Sequence, residues 1–412
     1  MRYGLLGEKL GHSFSKDIHQ ALGEYSYDLV EVSREGLSKF IEKREFAGMN
    51  VTIPYKEAVI PYLDGIDEAA KTIGAVNTIV NRNGRLYGHN TDFYGMEKLL
   101  AHAKIDPKDK VVAILGTGGT SKTAEAALRH LGAKDIFKVS RDKRGGAISY
   151  EELYERSGEV DIIINTTPLG MFPDTDGCAV DISKLERLCG VIDAVYNPLR
   201  TRLVIEAMKR NIRAEGGLYM LVAQAVRASE LFVGTKYDEK TVDKIYKRIL
   251  RDKENIVLIG MPASGKSTIG RILEKKLGKK ALDSDKIIEK NAKKSIPDIF
   301  REDGEPIFRD MEAEVIRRLS DEWGIIISTG GGSILRGESV DNLKKNGRLY
   351  FIDRPLPQLI PTDNRPLAST AADIEKRFNE RYGIYSDAAD VRIDANGSAP
   401  MAADKIIKDL YS

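Results

Sequence analysis

The sequence predicts an α/β protein made of successive parallel-sheet units. Two stretches carry that prediction: Lys110 to Asp142 and Asn255 to Gly270 each read strand, Gly-rich turn, helix, and the first runs on into another strand. In both, a continuous apolar run typical of a strand buried on two faces gives way to helical spacing just past the glycines. Length is the third observation, because 412 residues exceed one ordinary core and domains of about 100–200 residues suggest two or three.

The elements follow in order. Residues 1–101 hold the strand-like runs YGLLG, YDLVEV, GMNVTIP and NTIVNRNGRLYGHN, separated by helix-like segments such as SKDIHQALGEY. The turn Arg82-Asn83-Gly84-Arg85 carries the Asn-Gly signal of a tight hairpin. Residues 102–216 open with the βαβ pattern and continue through DIIINTT and GVIDAVY, the layout of a Rossmann-type dinucleotide domain. From Gly216 the pattern turns helical, and helices near 217–240 are expected to complete the first block. The charged run toward Glu254 reads as a solvated helix end or a short connector, 241–254, and 255–412 starts a fresh strand, turn and helix.

Gly116, Gly118 and Gly119 follow a strand and precede a helix, where missing side chains let backbone N–H groups meet a pyrophosphate. The same glycines would equally serve a tight turn that binds nothing. At the end of the next strand Ser140 and Arg141 come first, and a guanidinium suits a 2′-phosphate, so NADP is expected over NAD; Asp142 weakens that preference. In the first block, polar clusters stand at strand ends. Reduction of a ketone needs a proton donor, and a Lys paired with a carboxylate can supply it, which makes Lys56 and Asp92 candidates. Spacing alone does not bring them together, and a surface lysine with a helix-capping Asp is the plainer reading.

The ordered motifs GHSFSKDIH, NVTIPYK, GAVNT, GHNTD, GTGGTSKTA, NTTPLGM, DAVYNPLRT and GGLYMLVAQA resemble the shikimate dehydrogenase family over about residues 1–240. That resemblance implies a substrate-binding domain at 1–101 and an NADP(H)-binding domain at 102–216. It implies Ser13 and Ser15 on the substrate carboxylate, Thr52, Asn77 and Gln224 on ring hydroxyls, and Tyr196 near the substrate. Lys56 and Asp92 become the catalytic pair, with Asn165, Thr166 and Met171 along the nicotinamide side. Two departures show: Ser140-Arg141-Asp142 stands where the family often has Asn-Arg-Thr, and Phe93 follows the NTD motif where Gly is usual.

Gly260-Met-Pro-Ala263-Ser264-Gly265-Lys266-Ser267, followed by Thr268, matches G-x-x-x-x-G-K-[ST], the P-loop. Its amides would wrap the phosphates of ATP, Lys266 would neutralise them and Ser267 would ligate Mg²⁺. Downstream, Asp283 and Asp285 lie two apart, hence on one face if the segment is extended, one for the metal and one for an acceptor hydroxyl. Arg309, the glycines of STGGGS and Arg365 of DNRPLA are further candidates, arginine being suited to a carboxylate because its fork donates two parallel hydrogen bonds. Together these resemble the shikimate kinase family over about residues 255–411, a P-loop domain like the nucleoside monophosphate kinases. The resemblance puts Asp285 and Gly331 on the acceptor hydroxyls, Arg309 and Arg381 on its carboxylate, Asp283 in the metal shell, and Glu312 beside Arg309. Arg365 would reach over the phosphate from a lid, and the run RPLPQLIPTD before it is short, without an obvious second lid arginine.

Composition excludes much else. Lys plus Arg total 64 against 62 Asp plus Glu, a formal charge of +2, so no basic surface marks a nucleic-acid partner. Only Cys178 and Cys189 occur, and the five His lack ligand spacing, which supports neither a disulfide framework nor a zinc cluster. No apolar run suggests a membrane partner, so a soluble cytoplasmic enzyme of small-molecule substrates is expected, its oligomeric state open. The two resemblances imply reduction of 3-dehydroshikimate to shikimate, then its phosphorylation to shikimate 3-phosphate. A metabolite sensor without turnover, or a quinate-tolerant dehydrogenase joined to another small-molecule kinase, are the alternatives.

Overall fold

A computed structural model describes residues 3–11, 13–23, 25–360 and 370–412. The chain forms two compact units, residues 1–249 and 250–412.

The first unit begins with a mixed sheet of β1 (Tyr3–Gly7), β2 (Tyr27–Glu31), β3 (Gly48–Val51), β4 (Gly65–Ile66), β5 (Thr78–Arg82) and β6 (Arg85–His89), with helices α1 (Ser15–Leu22), α2 (Leu37–Lys43), α3 (Glu68–Ile73) and α4 (Asp92–His102). Its order is β2-β1-β3-β5-β6-β4. Strands β1, β2 and β3 run parallel, and the β5–β6 hairpin is antiparallel. At its turn Asn83 and Gly84 have φ of 54° and 84°, the left-handed pair that suits the twist of a two-residue hairpin.

A second sheet follows: β7 (Val111–Leu115), β8 (Asp135–Val139), β9 (Ile162–Asn165), β10 (Gly190–Asp193) and β11 (Arg213–Glu215), with helices α5 (Gly119–His130), α6 (Tyr150–Glu155) and α7 (Arg202–Lys209). All its pairings are parallel, in the order β11-β10-β9-β7-β8. The chain leaves β7 toward β8 and then crosses to β9, so the crevice of this open sheet lies at the carboxyl ends of β7 and β9. Helix α8 (Leu218–Val233) returns to the first sheet, where Ala228 and Phe232 are buried with Leu5 and Leu10.

Residues 241–254 are mostly helical: α9 (Thr241–Lys253) buries Val242, Ile245 and Ile249, and the Tyr219 hydroxyl donates to Asp243 at 2.6 Å. The boundary between the units falls inside this helix.

The second unit has β12 (Asn255–Ile259), β13 (Ala281–Asp283), β14 (Ile326–Ser328), β15 (Gly347–Asp353) and β16 (Val391–Asp394). They form one parallel sheet ordered β13-β14-β12-β15-β16. Around it pack α10 (Lys266–Leu277), α11 (Ser284–Ala292), α12 (Ile296–Glu302), α13 (Gly304–Ser320), α14 (Gly337–Asn346), α15 (Ala371–Ala388) and α16 (Ala399–Leu410). The central strand serves two cores by alternation: Val257 and Ile259 enter one, Ile256 and Leu258 the other. Among the described residues no helix is long and apolar enough to cross a membrane.

One expectation needs correction here. Asp283 and Asp285 do not share an extended segment, because β13 ends at Asp283 and α11 starts at Ser284. Asp283 caps the helix, accepting from the backbone N–H groups of Asp285 and Lys286 at 3.1 and 3.3 Å. Asp285 therefore stands on the first helical turn, and both carboxylates still line one cavity.

Candidate functional site

In the first unit, Lys56 follows the turn after β3 and Asp92 opens α4. The Lys56 Nζ donates to Asp92 Oδ2 at 2.6 Å, and the side chains are only 17% and 9% exposed. The plainer reading of Lys56 as a surface charge is thus wrong. Behind the pair, Asn77 donates to Thr91 Oγ1 at 3.0 Å and to Gln224 Oε1 at 3.5 Å, and its Oδ1 accepts from Thr91 N at 2.7 Å. Gln224 reaches this network because α8 lies close on α4. Gly95 permits that approach, since a Cβ there would sit 2.9 Å from the Met220 carbonyl oxygen. Ser13 and Ser15 are hydrogen-bonded at 3.1 Å, and the Phe14 ring lies 5.3 Å from that of Tyr196. Burial pushes the Tyr196 phenol up, and a hydrogen bond with Ser13 opposes it. Thr52 donates its backbone N–H to Leu6 at 3.0 Å.

The crevice at the end of β7 is a cavity of about 1160 Å³. Lys56 lines it together with Gly116 to Thr120, and a Cβ on Gly119 would meet the Lys56 stem at 3.9 Å. Lys56 and the Gly-rich turn therefore share one cleft, with Asp92 bonded to the lysine from outside its wall. Gly116 has φ +105°, and a Cβ there would lie 2.9 Å from Thr166 Oγ1, so only glycine lets the turn pass this close to β9. Gly118 faces open space, as a backbone cradle for a pyrophosphate requires. At the far end Ser140, Arg141, Asp142 and Arg144 line the wall. Asp142 is held by Arg144 at 2.6 Å and by Ser140 Oγ at 3.1 Å, so its charge is answered locally while Arg141 remains exposed.

Asn165 does not line this cleft. It is wholly buried, donating to Asp193 Oδ1 at 3.0 Å and accepting from the Thr167 N–H and hydroxyl at 3.0 and 2.7 Å. Its side chain supports the β9 end from behind, tied to a buried carboxylate on one side and to Thr167 on the other. Thr166 does line the cleft; Met171 is exposed but outside its wall.

In the second unit a cavity of about 640 Å³ joins Ala263, Gly265, Lys266, Ser267 and Thr268 to Asp283 and Asp285. The loop is bent by positive φ at Gly260 (144°), Ala263 (67°) and Gly265 (95°). Lys266 Nζ donates to the carbonyls of Gly260 and Met261 at 2.8 and 2.9 Å. Ser267 Oγ donates to Asp283 Oδ2 at 2.6 Å, which sets two hard oxygens side by side, a donor set that fits Mg²⁺. Ser264 is buried and its side chain does not reach the cavity wall.

Arg309, Glu312, Gly331 and Arg381 line the other end of the same cavity. Glu312, almost fully buried, accepts from Arg309 Nη1 at 2.7 Å and from Ser333 Oγ at 2.7 Å. Glu305 holds the same guanidinium at 2.9 Å. Burial opposes the Arg309 charge, and Glu312 and Glu305 outweigh it. Gly332 is needed for this contact, because a Cβ would fall 2.0 Å from Arg309 Nη1. Arg381 Nη1 donates to the Gly331 carbonyl at 3.0 Å. Arg365 lies outside the described residues, as do the last three residues of the run RPLPQLIPTD.

Sequence reasoning passed over Arg377, Phe300 and Phe308, which line this cavity too. Arg377 could have been found from its place four before Arg381, one helical turn away on the same face.

Comparison with known proteins agrees with the two-part reading. The family model described as shikimate dehydrogenase substrate binding domain matches residues 5–79, and the one described as shikimate kinase matches residues 262–411. A shikimate dehydrogenase (NADP(+)) of Clostridium beijerinckii is 41% identical over 261 residues, covering 59% of this chain and 96% of that protein. The crystal structure of shikimate dehydrogenase 1 from Peptoclostridium difficile is similar at TM-score 0.57 and 39% identity, over 60% of this chain and 97% of that one. A shikimate 5-dehydrogenase from Thermus thermophilus, solved in complex with NADP(H) and shikimate, gives TM-score 0.54 at 30% identity, over 60% of this chain and 99% of that one. With this coverage of its relatives and these two matches in order, the chain belongs to the shikimate dehydrogenase family and carries a shikimate kinase domain behind it.

Proposed function

We propose that the chain catalyses two consecutive steps: NADPH-dependent reduction of 3-dehydroshikimate to shikimate, and ATP-dependent phosphorylation of shikimate at its 3-hydroxyl. NADPH, when bound, supplies the hydride, and ATP the phosphoryl group. The observation that carries the first step is Lys56, held by Asp92 at 2.6 Å and lining the cleft that also holds the Gly116–Thr120 turn.

In that step Lys56 gives a proton to the substrate oxygen as negative charge develops there, and Asp92 keeps the ammonium aimed and charged. Asn77 and Gln224 hold ring hydroxyls through the network that joins them, and Thr52 joins them from the end of β3. Ser13 and Ser15 take the carboxylate, with Tyr196 packed beside them. Gly116, Gly118 and Gly119 present N–H groups to the pyrophosphate. Arg141 meets the 2′-phosphate, and the pairing of Asp142 with Arg144 and Ser140 favours NADP by removing the acid from competition.

In the second step the amides of the loop after β12 and the Lys266 ammonium hold the ATP phosphates, and Ser267 with Asp283 holds Mg²⁺. Asp285 accepts the proton of the attacking hydroxyl beside Gly331, while Arg309 and Arg381 grip the carboxylate. Positioning and charge do most of the work in such transfers.

Mass spectrometry of products from 3-dehydroshikimate, NADPH, ATP and Mg²⁺, with each cosubstrate omitted in turn, tests the proposal. Shikimate 3-phosphate is expected only from the complete mixture, and shikimate when ATP is left out. Shikimate that accumulates despite ATP would overturn the kinase half.

A further inference from the structure

Helix α15 brings two arginines, Arg377 and Arg381, to the acceptor end of the kinase cavity, and both line it with Arg309. Their spacing of four puts them on one face of the helix. The three differ in what already answers them. Arg309 has Glu305 at 2.9 Å and Glu312 at 2.7 Å. Arg381 donates to the Gly331 carbonyl. The Nε of Arg377 is buried and has no hydrogen-bond partner among the described residues.

The cluster is cationic beyond its own acids. Burial pulls the Arg381 pKa down, and the charges of Arg377 and Arg309 add to that pull, so the three guanidiniums act within reach of one another. Phe300 and Phe308 wall the same end, and Arg309 lies 5.2 Å from the Phe308 ring centroid. A buried donor left unanswered beside like charges and aromatic rings is costly, and an anion seated there removes the cost. The phosphate-holding loop has Lys266 of its own. Arg377 shares its helix face with Arg381, which bonds to Gly331 beside Arg309, so the anion that suits Arg377 belongs to the acceptor.

We propose that Arg377 is a third guanidinium for the acceptor's carboxylate, a specificity residue that selects anionic over neutral polyols in the kinase reaction. It rests on the kinase reading above and deepens it. The step itself is unchanged: Arg377 binds the carboxylate and takes no part in bond making.

The test is steady-state kinase kinetics of the full chain with Arg377→Leu and Arg377→Lys, on shikimate and on its methyl ester. Arg377→Leu is expected to raise KM for shikimate about 10- to 100-fold, the range for losing a hydrogen bond to a charged group. Its kcat should stay within about threefold and KM for ATP should hold, as for lost acceptor binding in a folded domain. Arg377→Lys should recover part of the loss, and on the ester the penalty of Arg377→Leu should vanish. An equal loss on acid and ester, a fall in kcat, a rise in KM for ATP, or no change would each overturn the proposal. Those results come with turnover of shikimate by the unaltered chain. Absence of that turnover would instead remove the kinase reading, and the carboxylate site with it.

Discussion

Lys56 and Asp92 stand 36 positions apart and meet at 2.6 Å. Each was visible in the sequence as a polar residue at a strand end, but their meeting depends on the segment after β3 and the start of α4 being brought together by the first sheet. Lys56→Ala should lower ketone reduction by about 10² or more, as for loss of a general acid, and leave phosphorylation intact. Parallel loss of both activities in coupled-free assays would argue against separate sites. Asp193 shows what a sequence hides. Its carboxyl is buried, and burial pushes its pKa from 3.8 up to about 7, against hydrogen bonds from Thr201, Val195 and Asn165. A raised pKa in the folded state means that the stability from this group is fully present below pH 3.8 and is lost as pH rises through about 7. Asp193→Asn should therefore flatten that part of the melting-temperature profile; an unchanged slope between the two pH values would show that the group does not titrate there. Arg141 was legible as a candidate for the 2′-phosphate from its place after β8, whereas the capture of Asp142 by Arg144 is a matter of the folded structure. Arg141→Ala should raise KM for NADPH and leave KM for NADH nearly unchanged; equal weakening of both would refute the assignment.

At the scale of elements, the strands and Gly-rich turns were the most legible parts. Their signals are local: continuous apolar runs for β7, β9, β10 and β12, and the Asn83-Gly84 pair for the β5–β6 hairpin. Asp283 and Asp285 were less legible, because a short strand passing straight into a helix has no long period to read. The three-glycine turn after β14 shows a further limit. The sequence marks it as a turn, yet Gly332 is required by Arg309, which crosses from α13 and would meet a Cβ at 2.0 Å. Gly332→Ala should displace that guanidinium and raise KM for shikimate in the kinase reaction by about tenfold or more, comparable to losing a charged hydrogen bond. Unaltered acceptor kinetics would mean that Arg309 moves aside at no cost.

At the scale of the whole molecule, two reactions sit on two compact units of one chain, so each should be silenced alone. Lys266→Ala should abolish phosphorylation while shikimate still forms from 3-dehydroshikimate and NADPH. Linkage keeps the two activities at equal stoichiometry and raises the local concentration of the shared intermediate. The sequence by itself determined the class of fold, the order of the units and the two Gly-rich turns, and it named most of the candidate residues, because each rests on local pattern or on motifs that read in one line. Tertiary structure alone decided that Lys56 meets Asp92 and shares a cleft with Gly119, that Asn165 supports the cleft from behind, and that Arg377 joins Arg309 and Arg381. Those outcomes depend on which faces of distant elements are brought together, and burial, charge and hydrogen-bond competition among them have no counterpart in linear spacing.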